Sequence, residues 1–221
     1  MGDTVPASKG FKNDKPSQLK TSSISERWNN RALFQLIWPL IIEQILAVTM
    51  GTADTIMVSS VGEHAVSGVN IIDNINNLLI IAFTALSTGG AVVVSQYLGR
   101  RDPKNASLAG RQLIYVVTVV SLLLMGVALI FRKPIITFFY GNIESDVMSS
   151  AAIYFLITAI SYPFLAIYSA SAALYRASGN SKVTMRIALM VNIINIAGNA
   201  FLIYGLKIGA TGAAISTLVS R

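Results

Sequence analysis

Two carboxylates, Glu43 and Asp54, stand inside an otherwise apolar stretch of this chain. A charged side chain at the centre of a bilayer costs at least about 2.5 kcal/mol on insertion scales, so an acid in such a stretch is a candidate functional group. The two are eleven residues apart. At 3.6 residues per turn that is close to three turns, which puts both on one helical face, roughly 16 Å apart along the axis. They can therefore line one cavity. Asp54 is followed by Ile56, Met57 and Val58, and a carboxyl in apolar surroundings can exchange a proton or a cation near neutral pH, as a coupled machine requires. The plainer alternative is an acid that caps a helix contact or faces a water-filled vestibule, and it weighs more for Glu43, which lies nearer the start of the segment. Gln44 and Met50 share that segment and join Glu43 and Asn192 as candidate cavity or substrate contacts.

Asn192, Asn195 and Asn199 follow one another at spacings of three and four, so their amides form one stripe on a helix. Taken alone, such a stripe is interhelical glue, at about 0.6 kcal/mol per hydrogen bond. Beside Asp54 it becomes a candidate polar site. A second apolar segment is polar along one side, with Asn70, Asp73, Asn74, Asn76 and Asn77 near its start and Thr84, Ser87 and Thr88 further on. Gly89, Gly90, Gly198, Gly209 and Gly212 are placed to let helices approach closely. Pro39 and Pro163 each remove a backbone hydrogen bond from a helical stretch. Pro39 shares its helix with both acids and is the candidate hinge. Tyr162, Tyr168 and Tyr175 are expected to anchor or pack their span, or to form an aromatic wall for flat organic cations.

The elements that must hold these groups are long apolar helices. The 221 residues are 53% hydrophobic and only 12% charged, against about 25% charged in an ordinary soluble domain. A membrane helix needs about 20 mainly apolar residues. Five segments qualify, at about 33–61, 71–98, 112–131, 147–174 and 183–204, and a sixth begins near 210 and is incomplete at 221. The apolar run 134–140 is too short to cross and is expected at the interface. Residues 1–31 are polar and basic and lack the apolar core of a secretory signal, so they are expected to be a disordered cytoplasmic tail ahead of a transmembrane bundle over 32–221.

Orientation follows from the basic residues. Counting the tail, Arg100, Arg101, Lys104 and Arg111 after span two, and Arg176, Lys182 and Arg186 after span four, one side carries thirteen. The other carries three, Arg132, Lys133 and Lys207. Short cytoplasmic loops hold the excess, which places the N-terminus in the cytoplasm. The basic residues are not interleaved with stacking aromatics, so nucleic acid is not an expected partner. With no cysteine and a single histidine, His64, no metal motif forms. No nucleophile elbow or phosphate loop appears, so an enzyme is not expected.

At these residues the chain resembles the multidrug and toxic compound extrusion (MATE) family, over about 32–221. WPLIIEQILAVTMGTADTIMVSSVG resembles the family's first helix, with its proline and its D-T-x-M-V signature, and SQYLGRRDPKNAS resembles the end of helix two and the next loop. ALYRASGNSKVTM resembles the loop before helix five, and NIINIAGNAFLIYGLKIGATGAAIST resembles helix five, its turn and the start of helix six. The resemblance implies an all-α integral membrane protein, the N-terminal six-helix bundle, its last helix truncated, of a twelve-helix transporter whose partner is its own C-terminal half. It implies secondary active efflux of organic cations or amphipathic drugs by antiport, with H⁺ or Na⁺ as the coupling ion and no other cofactor, in a bacterial plasma membrane. Asp54 falls at the family's coupling acid, and Asn195, Asn199 and Thr217 at a hydrogen-bonded cluster found in some members. Asn199 stands where aspartate is frequent, which leaves the coupling ion open, and Pro39 stands where some members bend. A related flippase for lipid-linked oligosaccharides or polysaccharides, with a more cationic cavity, and a non-transporting scaffold fragment are the alternatives.

Overall fold

The structure, a computed structural model, describes the backbone of residues 30–221 and the side chains of 34, 35 and 37–221. The tail expected over 1–31 lies outside the described residues except for its last two positions, which already belong to a helix. Eight α-helices follow in chain order among the described residues: α1 (Asn30–Ser59), α2 (Glu63–Gly99), α3 (Pro103–Ile130), α4 (Arg132–Tyr140), α5 (Ser145–Ile160), α6 (Tyr162–Ala177), α7 (Ser181–Asn199) and α8 (Ala210–Ser220). A wider π-helical turn, Ala200–Gly205, extends α7. Residues from Leu36 to Arg221 form one compact unit.

Among the described residues, four stretches are long and apolar enough to cross a membrane: Ile37–Ser59, Glu63–Gly99, Pro103–Ile130 and Ser181–Gly205. Taken together, α5 and α6 make a fifth. The sequence alone suggests one helix there, yet the pair bends by 49°. Pro163 explains it: without an N–H it cannot bond to Ala159, and its ring crowds that carbonyl. Ser161 closes the break instead, its N–H donating to Thr158 O at 3.0 Å and its hydroxyl to the same oxygen at 2.6 Å. Pro39, by contrast, lies buried within α1, which runs unbroken through it. The run 134–140 forms the short helix α4, with Phe138 and Phe139 exposed and stacked edge to face.

Helix α2 is the spine, packing against α3, α5 and α6, while α8 packs against α5 and α7. The pattern along α3 shows how a bundle in lipid sorts its faces. Leu113, Val117, Ser121 and Ala128 point inward, while Tyr115, Val119, Leu123 and Ile130 are exposed. Both faces are apolar, because lipid tails reward hydrocarbon as well as the interior does, so close packing and interhelical hydrogen bonds must hold the bundle together. Small residues supply the packing. At Gly68, a Cβ would lie 2.9 Å from Ala151 N, so α2 and α5 touch backbone to backbone. Gly90 is closed by the Leu113 side chain, Gly198 by Ser216 and Gly212 by Leu202. Gly89, expected to do the same, faces open space. Gly209 has a different reason to be glycine: its φ is +63° and Val61 stands 3.0 Å from where a Cβ would be.

Candidate functional site: a polar cluster beside a central cavity

Helices α1, α7 and α8 meet at one buried point. Asp54 on α1 is 8% exposed, Asn195 and Asn199 on α7 are fully buried, and Thr217 on α8 is 3% exposed. The spacing of four on α7 stacks Asn195 and Asn199 one turn apart. The Asn199 amide donates to Asp54 Oδ1 and, at 3.3 Å, to Asn195 Oδ1. Asn195 Nδ2 donates onward to Thr217 Oγ1 at 3.4 Å. Ser216 Oγ ties α8 to the same turn by donating to Asn195 O at 2.7 Å. The four residues singled out as a cluster are therefore one hydrogen-bonded chain across three helices. Asn199 Oδ1 is left buried without a partner among the described residues. An orphaned amide oxygen beside a carboxylate is an arrangement that can receive a hard cation or a donated proton.

The cluster borders a cavity of about 390 Å³, within the range of pockets that hold drug-sized molecules. The cavity is lined on α1 by Glu43, Gln44, Met50 and Asp54, on α2 by Asp73, Asn76 and Asn77, on α6 by Leu165 and Tyr168, and on α7 by Asn192. All four residues anticipated as cavity contacts are thus in its wall. Asn192 Nδ2 donates to Ala188 O at 3.0 Å and its Oδ1 has no partner among the described residues, so a buried acceptor remains available at the wall.

Glu43 is engaged within the protein. Its Oε1 pairs with Arg176 Nη1 at 3.2 Å, and its Oε2 accepts from Thr184 Oγ1 at 3.0 Å. The two spare acids of α1 are therefore not equivalent, since Glu43 spends its charge on joining α1 to the ends of α6 and α7. Among the described residues no three His, Cys, Asp or Glu side chains gather as a metal site.

Two groups at the cavity were not among the site residues expected from the sequence. Asp73 was read there only as part of the polar side of the second segment. The second span was expected from about residue 71, which left Asp73 at its rim, but α2 starts at Glu63 and carries Asp73 well inside. Tyr154 donates to Asp73 Oδ1 at 3.1 Å, and Tyr162 donates to Asn76 Oδ1 at 2.9 Å. The second group is Arg221, which lines the cavity and donates from Nη1 to Ser161 Oγ at 2.9 Å, at the bend between α5 and α6. Of the tyrosines expected to pack or form a wall, Tyr162 is fully buried, Tyr168 lines the cavity and Tyr175 is exposed.

Comparison with known proteins gives this arrangement a family. The MatE family model matches residues 39–201. The "Uncharacterized transporter YisQ" of Bacillus subtilis is 31% identical over 194 residues, covering 86% of this chain and 42% of that protein. The "Probable multidrug resistance protein NorM" of Thermotoga maritima is 23% identical over 198 residues, again covering 86% and 42%. A solved structure described as the outward-facing conformation of a multidrug resistance MATE family transporter of the MOP superfamily superposes with a TM-score of 0.79 at 20% identity, over 86% of this chain and 42% of that one. The chain thus spans less than half the length of the relatives it matches. It is an integral membrane protein with the MATE transporter fold, and it belongs to the MatE family.

Proposed function

We propose that the protein to which this chain belongs is a secondary active exporter of organic cations or amphipathic drugs, driven by antiport of H⁺ or Na⁺. The observation that carries the reading is Asp54, a buried carboxylate whose only described hydrogen-bond donor is an amide on another helix, set at the edge of a drug-sized cavity. A proton or cation on Asp54 neutralises the charge that strengthens its hydrogen bond from Asn199. The tie between α1 and α7 then changes, weakened by a proton or rebuilt around an ion, and a change of charge becomes a change of helix packing. Alternating access by two bundles needs such a link between ligand and conformation. The names of the relatives, multidrug resistance proteins among them, support the substrate class.

A proton would sit on Asp54 itself. A sodium ion would draw on Asp54, the free Asn199 Oδ1, Asn195 Oδ1 and Thr217 Oγ1, the oxygen atoms this cluster offers. Because Asn199 carries no charge, Asp54 is the one carboxylate of the cluster, which favours a single monovalent ion per cycle. The excess of basic residues on one side supports an N-terminus in the cytoplasm of a bacterial plasma membrane, and a C-terminal half would complete the cavity. Three carboxylates line the cavity against one guanidinium, which supports a cationic or amphipathic cargo over the pyrophosphate of a flippase substrate.

The test is Asp54→Asn in the full-length protein, assayed for driven efflux in vesicles. Efflux should vanish while membrane expression is unchanged. Undiminished efflux would remove the coupling role.

A further inference from the structure

A second cavity, of about 510 Å³, lies between the start of α4 and one face of α5 and shares no lining residue with the central one. Arg132 and Lys133 line it from α4. Its α5 wall uses positions three and four apart from Ser145 to Ile157, a single stripe of the helix. From 145 to 157 the stripe runs about 18 Å, close to the depth of one leaflet. Its polarity changes along the way. Ser145 and Ser149 come first, and Ala152, Ile153, Leu156 and Ile157 follow.

The two cations are not placed for the stability of α4. They occupy its first turn, where the free backbone N–H groups make the helix end positive and acids are favoured. Neither forms an ion pair with any described carboxylate. The next acids along the chain are engaged elsewhere: Glu144 faces His64 at 3.6 Å, and Asp146 accepts from Ser145 Oγ at 3.4 Å. Arg132 and Lys133 also stand where the apolar span α3, which ends at Ile130, leaves the bilayer. Phe138 and Phe139, exposed on the same short helix, suit that interfacial level.

Positive charge thus gathers beside an apolar groove with no described anion to meet it. A molecule that fits carries an anion at one end and hydrocarbon along the rest of its length. We propose that this groove binds one anionic phospholipid, its phosphate on Arg132 and Lys133 and an acyl chain along the α5 stripe. Three spans precede the site, so it belongs to the leaflet opposite the N-terminus. The groove ends at Ile157, next to Thr158, whose carbonyl closes the bend between α5 and α6. A seated lipid therefore braces the α5 arm of the bent span. This inference goes beyond the transport reading and does not depend on it.

The experiment titrates the full-length protein in detergent with phosphatidylglycerol and with phosphatidylcholine of the same acyl chains, and native mass spectrometry reads the first bound lipid. Wild type should bind phosphatidylglycerol about tenfold or more tightly than phosphatidylcholine. Near a surface each cation is worth about fivefold in affinity for an anionic lipid. The double variant Arg132→Gln, Lys133→Gln should therefore weaken phosphatidylglycerol about tenfold or more and leave phosphatidylcholine within about twofold, whereas Arg132→Lys with Lys133→Arg should stay within about threefold. Ser149→Phe, which fills the groove from an exposed position and keeps both cations, should also weaken phosphatidylglycerol about tenfold. Lys207→Gln, at a basic residue on the same side, should change it less than about twofold. Glycerol phosphate, which has the anion and no chains, should not displace the lipid. Displacement by it would make this a site for a free phosphate ester and overturn the proposal. Unchanged binding in the double variant or in Ser149→Phe, an equal loss in Lys207→Gln, or a wild type that takes neither lipid because another part of the protein or a second copy fills the groove would overturn it too.

Discussion

Arg176 Nη1 stands 3.2 Å from Glu43 Oε1, and this ion pair fastens α1 to the last turn of α6. Both side chains keep some contact with solvent, at 28% and 13% exposure, so the pair is worth about 1 kcal/mol rather than the larger value of a fully buried one. Glu43→Gln and Arg176→Gln should each lower the thermal unfolding temperature in detergent. The double variant should lose less than the sum of the two, and that shortfall measures the pair.

Removing the Asn199 amide tests the cluster from the other side. Asn199→Leu leaves Asp54 with no described donor, and a buried charge so stripped loses about 1 to 3 kcal/mol of stabilisation. Driven efflux by the full-length protein should fall about tenfold or more. Asn199→Asp keeps an acceptor and adds a charge, so it should retain efflux with an altered dependence on Na⁺ concentration. Efflux equal to wild type in the leucine variant would show that the amide contact does not matter.

The contact of α2 with α5 predicts a sharp contrast between two glycines. A Cβ at Gly68 would meet Ala151 N at 2.9 Å and Ser150 Cβ at 3.1 Å, both on a helix that cannot yield locally. Gly68→Ala should cost about 1 to 3 kcal/mol, as overpacking does elsewhere. Gly126 has nothing within 4 Å of the same position. Gly126→Ala should be neutral or raise stability by about 0.5 to 1 kcal/mol, the usual gain in a helix interior. Unfolding curves of the two variants in one detergent decide the matter.

Asp102 offers a pH test outside the membrane segments. It caps α3, its side chain accepting from Asn105 N at 3.1 Å and from Asn105 Nδ2 at 2.6 Å. The Asn105 backbone N–H, then its side chain, holds the Asp102 carboxyl below its ordinary value. A depressed carboxylate favours folding above its unfolded-state pKa, and that contribution fades as pH falls through the lower folded value. Asp102→Ala should therefore flatten the acid limb of the stability profile and leave a difference from wild type that persists at neutral pH.

The long spans were legible because twenty apolar residues in a row admit few other structures. Asp54 was legible as an acid in an apolar stretch, Asn195 and Asn199 as neighbours on one stripe, and Thr217 only through the family resemblance. Asp73 was not, because its neighbours Asn70, Asn74 and Asn77 read as a polar rim, and hydropathy alone sets a helix start poorly when one of its faces borders water. Arg221 escaped because a single basic residue at the end of a short apolar stretch has no spacing partner that marks it as part of a cavity. The bend at Ser161 was half visible: Pro163 announced a kink, but its size depends on the Ser161 and Thr158 contacts that close the gap. Gly89 and Gly68 show the converse limit. A glycine doublet looks like a packing motif, but only the positions of neighbouring helices decide which glycine is touched.

The change of winding after Asn199 has a mechanical meaning. From Ala200 to Gly205 the helix spends more residues on each turn, with Leu206 N reaching back to Phe201 O at 3.0 Å and Ile208 N to Leu202 O at 3.1 Å. If that stretch tightened to ordinary α-helix by one residue, everything beyond it would swivel by roughly 100° relative to Asn199. The chain thus keeps a coil of slack immediately behind the amide that grips Asp54, where rotation of a segment could be gained without dragging the rest of α7 through the bilayer.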